Sequence, residues 1–219
     1  MELLLLNSLE KVFSDEKPNA SDIKTISMLK NERTSFQAAF CPEKDGKISV
    51  SLGGILAEIS NAYIVKDIPV GNACFEDADD FYLRKTSGIF PDYLLPANGE
   101  IAVEKGKWYS IWIEVSGNGK ITGKNSVTVD IKGDMTAAAE VEIEIIDADL
   151  SKQEIVYTNW YHSDCICNYY GVEPFTDEFW RINKNFIRTA VEHGMNCILT
   201  QLFRILAAAY CNIIVILGK

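Results

Sequence analysis

Residues 154–203 read EIVYTNWYHSDCICNYYGVEPFTDEFWRINKNFIRTAVEHGMNCILTQLF, and the fold turns on this stretch. Residues 155–160 have the apolar and aromatic character of a strand. The run after them reads as a long loop, and a helix follows. Thr176 is its N-cap, and Asp177 and Glu178 put negative charge on the first turn, where it suits the helix dipole. Phe175 and Trp180 stand at the spacing of a hydrophobic staple across that cap. Phe179, Ile182, Phe186, Ile187, Ala190 and Val191 recur at helical spacing as one apolar stripe, and Gly194 supplies the stop. Residues 195–200 form a second strand, apolar enough to be covered on both faces. Strand, helix, strand with such a stripe is a right-handed crossover unit, the opening of a parallel α/β structure.

Upstream the pattern changes to short strands separated by turn residues. Phe36, Ala38 and Phe40 share one face of a strand that Pro42 ends. Ile48, Val50 and Leu52 alternate up to Gly53-Gly54, and residues 55–67 hold a strand pair or one bent strand. Tyr109, Ile111, Ile113 and Val115 form the buried face of another strand. Asn118-Gly119 is a hairpin signal. Val127, Val129 and Ile131, then Val141, Ile143 and Ile145, alternate on either side of a turn at Gly133-Asp134. Regular short strands of this kind indicate an antiparallel β-sandwich over residues 1–150. Residues 72–98 interrupt it as a long irregular loop rich in carboxylates and rings. A loop of that length is functional or packed against a neighbour. At the other end, residues 204–219 are a short tail with nothing left to pack on.

The 219 residues carry 21 basic and 31 acidic side chains, a net charge of −10. A field of that sign repels phosphate backbones and argues against a nucleic-acid partner. Glu2 stands where a secretion signal would be positive. No window approaches the roughly 20 apolar residues needed to cross a bilayer. No membrane partner is expected, and the expected location is the cytoplasm. The six cysteines are scattered except for Cys165 and Cys167, which fits reduced thiols.

Three blocks carry a resemblance. SLEKVF at residues 8–13 and NERTSFQ at 31–37 stand near the start. Tyr82-Leu83-Arg84 and GIFPDYLL at 88–95 fall in the irregular middle. Trp160-Tyr161-His162-Ser163-Asp164-Cys165 is followed by the helix and by NCILT at 196–200. In this order, over about residues 1–203, they resemble the bacterial proteins that carry the domain of unknown function 4091, related to glycoside hydrolase family 123. The resemblance implies a β-sandwich leading into a (β/α)8 TIM barrel, of which residues 151–219 are the start. It also implies a retaining hydrolase of 2-acetamido sugars, N-acetylgalactosaminides foremost. In that chemistry the substrate's own acetamido oxygen attacks the anomeric carbon. An Asp orients the acetamido group and a neighbouring Glu protonates the leaving oxygen. In the family that pair lies on a later barrel strand. After Phe203 the family continues with a Thr-Pro-Pro-Leu-Asp-Thr block, whereas this chain reads Arg204-Ile205-Leu206-Ala207. The expectation is therefore a truncated, incomplete barrel with an aberrant tail at 204–219 and no activity in this chain alone.

Trp160, Tyr161, His162 and Asp164 sit at or just past the end of the first barrel strand, where barrel enzymes build their sites. A ring there can stack on a sugar, and His162 and Asp164 can hydrogen-bond its hydroxyls. The competing reading packs the rings on the sandwich and makes His162 a structural histidine. His162, Asp164, Cys165 and Cys167 match no common zinc spacing, so neither metal nor cofactor is expected. Cys165 could act as a nucleophile beside His162 only with a lowered pKa. In the middle loop, Tyr82, Arg84, Phe90 and Asp92 either line a site or seal a domain interface, with Arg84 paired to a carboxylate. Two functional classes stand. One is the N-terminal part of a glycoside hydrolase whose intact form takes an amino-sugar glycan. The other is a non-catalytic carbohydrate-binding or structural β-sandwich module.

Overall fold

A computed structural model of the chain describes residues 1–77, 79–160, 163–201 and 212–216. It forms two compact units, Met1–Leu150 and Ser151–Lys219.

The strands of the first unit are β1 (Glu2–Asn7), β2 (Thr25–Leu29), β3 (Arg33–Cys41), β4 (Gly46–Gly53), β5 (Ser60–Val70), β6 (Gly88–Pro96), β7 (Ile101–Val103), β8 (Tyr109–Ser116), β9 (Gly123–Gly133) and β10 (Ala137–Ile146). They make two five-stranded sheets, in the orders β1-β3-β8-β5-β6 and β2-β10-β9-β4-β7. The period-two alternation sets the core. Ile111, Ile113 and Val115 from one sheet meet Val127, Val129, Ile131, Val141, Ile143 and Ile145 from the other, and all are buried. Phe36 and Phe40 fill the same layer. Each such side chain, fully buried, contributes about 1.5–3 kcal/mol. Pairing is antiparallel except between β10 and β2, which run parallel from Glu142↔Thr25 to Ile146↔Leu29. The sheet that contains β2 is thus mixed, while the other is wholly antiparallel.

Three local expectations change. Residues 55–67 split into a 3-10 helix, Ile55–Ile59, and the start of β5. Gly54 takes φ 87° ahead of that helix, and a Cβ there would stand 2.4 Å from the Ser126 carbonyl oxygen. Asn118-Gly119 makes its turn, with Asn118 Oδ1 accepting from the amides of Lys120 and Ile121. It joins no hairpin, however, because β8 and β9 belong to different sheets. A turn signal reports local backbone preference and says nothing of which sheet receives the next strand. Finally, a third of the long loop at 72–98 is strand: β6 pairs with β5 across a register shift at Lys66/Asp67. Its two prolines are tolerated because β6 is an edge strand.

The second unit holds β11 (Thr158–Trp160), α1 (Asp164–Tyr170), α2 (Asp177–Glu192), β12 (Cys197–Gln201) and β13 (Asn212–Ile216). β11 and β12 are parallel, from Thr158↔Cys197 to Trp160↔Leu199, and the two helices lie between them in the chain. Thr176 caps α2 by accepting from the Phe179 amide at 3.3 Å. The Phe175 and Trp180 rings lie 6.2 Å apart across the cap. Gly194, at φ 93°, turns the chain out of the helix.

β11 starts at Thr158, later than the expected strand from 155. Asn196 ends the ladder there, its Oδ1 accepting from the Tyr157 amide at 2.8 Å and its Nδ2 donating to the Ile155 carbonyl at 3.0 Å. The expected loop contains α1, whose Ile166 is buried against Phe179 and Ile182 and which Gly171 ends in the left-handed conformation. In the tail, Asn212–Ile216 has a partner after all: β13 pairs antiparallel with β12. The expected tail residues 204–211 and 217–219 lie outside the described residues. Among the described residues no helix is long and apolar enough to cross a membrane.

Candidate functional site

In the first unit the sequence blocks converge. Gln37, in the NERTSFQ block, is buried on β3. Its Nε2 donates to the carbonyls of Asn7, Ser8 and Glu10 at 3.2, 3.4 and 2.8 Å, and its Oε1 accepts from Ser110 Oγ at 2.8 Å. One amide thereby pins the SLEKVF segment to the sheet. Val12 joins Leu6, Ala39 and Trp108 in a second small core there, and Phe13 is buried at the end of the segment. Phe13 meets Phe90 edge-on, with ring centroids 5.6 Å apart. The guanidinium carbon of Arg84 lies 3.7 Å from the Phe13 ring centroid, a cation–π contact.

Arg84 grips Asp15 with both terminal nitrogens, at 3.1 and 2.6 Å, and reaches Glu16 at 2.9 Å. That hydrogen bonding holds the Asp15 carboxyl below the usual carboxylate range and pushes the guanidinium up. Tyr82, Arg84, Phe90 and Asp92 come together, with Lys11 and Phe13, around one depression of about 380 Å³. Phe90 and Asp92 are on β6, not on a loop. Arg84 also lines a more polar hollow of about 510 Å³ with Asp15, Glu16 and Ser87. Sequence reasoning did not single out Asp15 or Glu16. Phe13 and Gln37 it met only as members of the resembling blocks.

In the second unit, Trp160 is the last residue of β11, and Asp164 stands exposed on the first turn of α1. Tyr161 and His162 lie outside the described residues. The rings of Tyr169 and Tyr170 meet at 5.0 Å, and that of Tyr170 lies 6.3 Å from Phe186. His193 Nδ1 is 2.7 Å from the Thr189 carbonyl of its own last helical turn. Cys165 and Cys167 are free thiols. Among the described residues no group of three His, Cys, Asp or Glu side chains could hold a metal ion.

The catalytic-domain model of glycoside hydrolase family 123 matches residues 160–216. The match opens at Trp160 and runs through β13. It therefore passes Phe203, so the tail expected to be foreign from residue 204 belongs, up to 216, to the matched stretch. The fold resembles that of a family 123 glycoside hydrolase from Clostridium perfringens studied for glycolipid glycan hydrolysis. The likeness has a TM-score of 0.71 at 10% identity, over 90% of this chain and 37% of that one. This chain thus spans little more than a third of that enzyme. The N-terminal domain of PorA aligns with a TM-score of 0.30 at 7% identity, over 68% of this chain and 100% of that one. No curated protein matches the sequence.

Proposed function

We propose that residues 1–150 are the N-terminal β-sandwich, and residues 151–219 the start of the (β/α)8 barrel, of a glycoside hydrolase of the family 123 type. On this reading the chain is related to the bacterial proteins with the domain of unknown function 4091 and works in the cytoplasm. Its substrate is a 2-acetamido sugar glycan, cleaved with retention by the substrate's own acetamido oxygen. The observation that carries the reading is the family match on residues 160–216, which starts where β11 ends. That end of a parallel strand is where barrel enzymes place their sites. Trp160 and Tyr161 then supply rings for a pyranose face, and His162 and Asp164 bond its hydroxyls.

The chain by itself binds without turning over. A general acid for this chemistry needs a raised carboxyl pKa. In the Asp–Glu pairs at 15–16 and 177–178, Asp15 and Glu178 are shifted the other way. The hydrogen bond from Arg84 lowers Asp15, and the hydrogen bonds from Arg181, at 2.7 and 2.8 Å, lower Glu178. In calorimetry with N-acetylgalactosamine oligosaccharides, the 219-residue chain should bind saturably, with a binding component that is lost on Trp160→Ala. It should release no nitrophenol from an aryl N-acetylgalactosaminide. Turnover would refute the inactivity; absence of Trp160-dependent binding would refute the hydrolase reading.

A further inference from the structure

The depression on the first unit has the chemistry of a ligand site, and we propose that it binds a short, uncharged oligosaccharide independently of residues 160–164. Its volume of about 380 Å³ falls within the range of small-ligand sites, ~300–1,000 Å³. Four rings stand in the lining beside aliphatic residues such as Ile68, Val70 and Leu83. Phe81 is 91% exposed and Tyr82 43%, while Phe90 is half-buried and Phe13 closes the floor. Exposed rings beside a hollow offer the flat apolar surface that the C–H face of a pyranose covers. Around them stand an acceptor, Asp92, and a donor, Lys11. A sugar edge both donates and accepts, so it satisfies the two together. A wholly apolar ligand would strip water from Lys11 and Asp92 and return nothing. An anionic ligand meets Arg84 already engaged by Asp15 and Glu16, finds Asp92 beside Lys11, and is opposed by the chain's net charge of −10.

The wall that carries the rings is braced before any ligand arrives. Cys74 Sγ reaches the Lys85 carbonyl at 3.4 Å, closing the base of the loop. The Phe81 amide donates to Asp79 Oδ1 at 3.0 Å. Arg84 fastens the loop to Phe13 and Asp15. A preorganised wall loses little freedom on binding.

The test is saturation-transfer NMR and calorimetry on the full 219-residue chain, with maltotriose and N,N′,N″-triacetylchitotriose as probes. At least one probe should saturate, with transfer to its ring protons. Phe81→Ala and Tyr82→Ala should each weaken it by about tenfold, the loss of one aromatic contact. Their thermal midpoints should match the parent's, and Trp160→Ala should leave this binding intact. Failure of both probes to saturate would overturn the proposal. So would binding that survives both ring substitutions, or binding lost on Trp160→Ala instead. That last result would leave the hydrolase reading standing. Conversely, probe binding that depends on Tyr82 but not on Trp160 upholds this site whether or not the barrel segment recognises amino sugars.

Discussion

The two units handle their apolar side chains in opposite ways. In the sandwich, Phe36, Ile111, Ile113, Val129 and Ile143 are wholly buried between two sheets. In the second unit, only Ile166, Phe179 and Ile182 make a core cluster among the described residues. Trp180 and Phe186 on α2 remain 42% and 43% exposed, and Phe175 71%. In the sandwich burial follows the period-two alternation, whereas in α2 it departs from the predicted stripe: Phe186 is exposed and Asn183 is buried. What separates the two units is whether each apolar face meets another, and that decides which unit can hold itself together.

The strongest attack on this contrast is to delete a ring from each unit. Phe36→Ala should cost the sandwich about 3–5 kcal/mol, the cavity cost of a buried aromatic. Phe186→Ala, half in water already, should cost less than about 1 kcal/mol. Urea titrations read both, and equal losses would erase the distinction. A smaller effect is expected from Gln37→Leu, about 2 kcal/mol, because Ser110 and the carbonyls of Asn7, Ser8 and Glu10 lose their shared partner. Hydrogen exchange should quicken at residues 8–14 and stay unchanged in β9 and β10. Uniform loss of protection would mean that the segment is integral to the core and not a cover on it.

Smaller than the Gln37 effect is that of Arg84→Gln, about 1 kcal/mol at neutral pH, since Asp15 is 69% exposed and solvent screens the pair. Its pH dependence has a definite sign. Asp15 is lowered in the folded protein by the hydrogen bond from Arg84. The pair therefore stabilises above the unfolded carboxyl value, ~3.9, and that gain is lost as the pH falls through the lower folded value. The gap in thermal midpoint between parent and Arg84→Gln should narrow below about pH 4. A gap unchanged down to pH 2 would assign the whole effect to the Phe13 ring contact.

Strands whose faces alternate cleanly, such as β8, β9 and β10, were readable because burial on one side writes itself into every second residue. β6 was not, since Pro91, Asp92 and Pro96 look like loop residues until an edge position excuses them. The sheet change after Asn118 was equally hidden: the turn is local, and its consequence is not. At the depression, Tyr82, Arg84, Phe90 and Asp92 stood out by their chemistry. Their dependence on Phe13, Asp15 and Gln37 did not, because these lie far off in sequence and reach the place only through the fold. The helix cap at Thr176 was legible for the opposite reason, being settled within a single turn.

The parallel pairing of β2 with β10 has a bearing on biosynthesis. Residues 25–29 leave the ribosome early, yet the strand that completes their sheet ends at Ile146. Until then the seat between β2 and β9 stays unfilled and β2 has no neighbour in its sheet, and the closing contact spans most of the unit. Such long-range closure is slow. Translation of this polypeptide should therefore yield a protease-sensitive intermediate that acquires resistance abruptly once that last strand clears the exit tunnel.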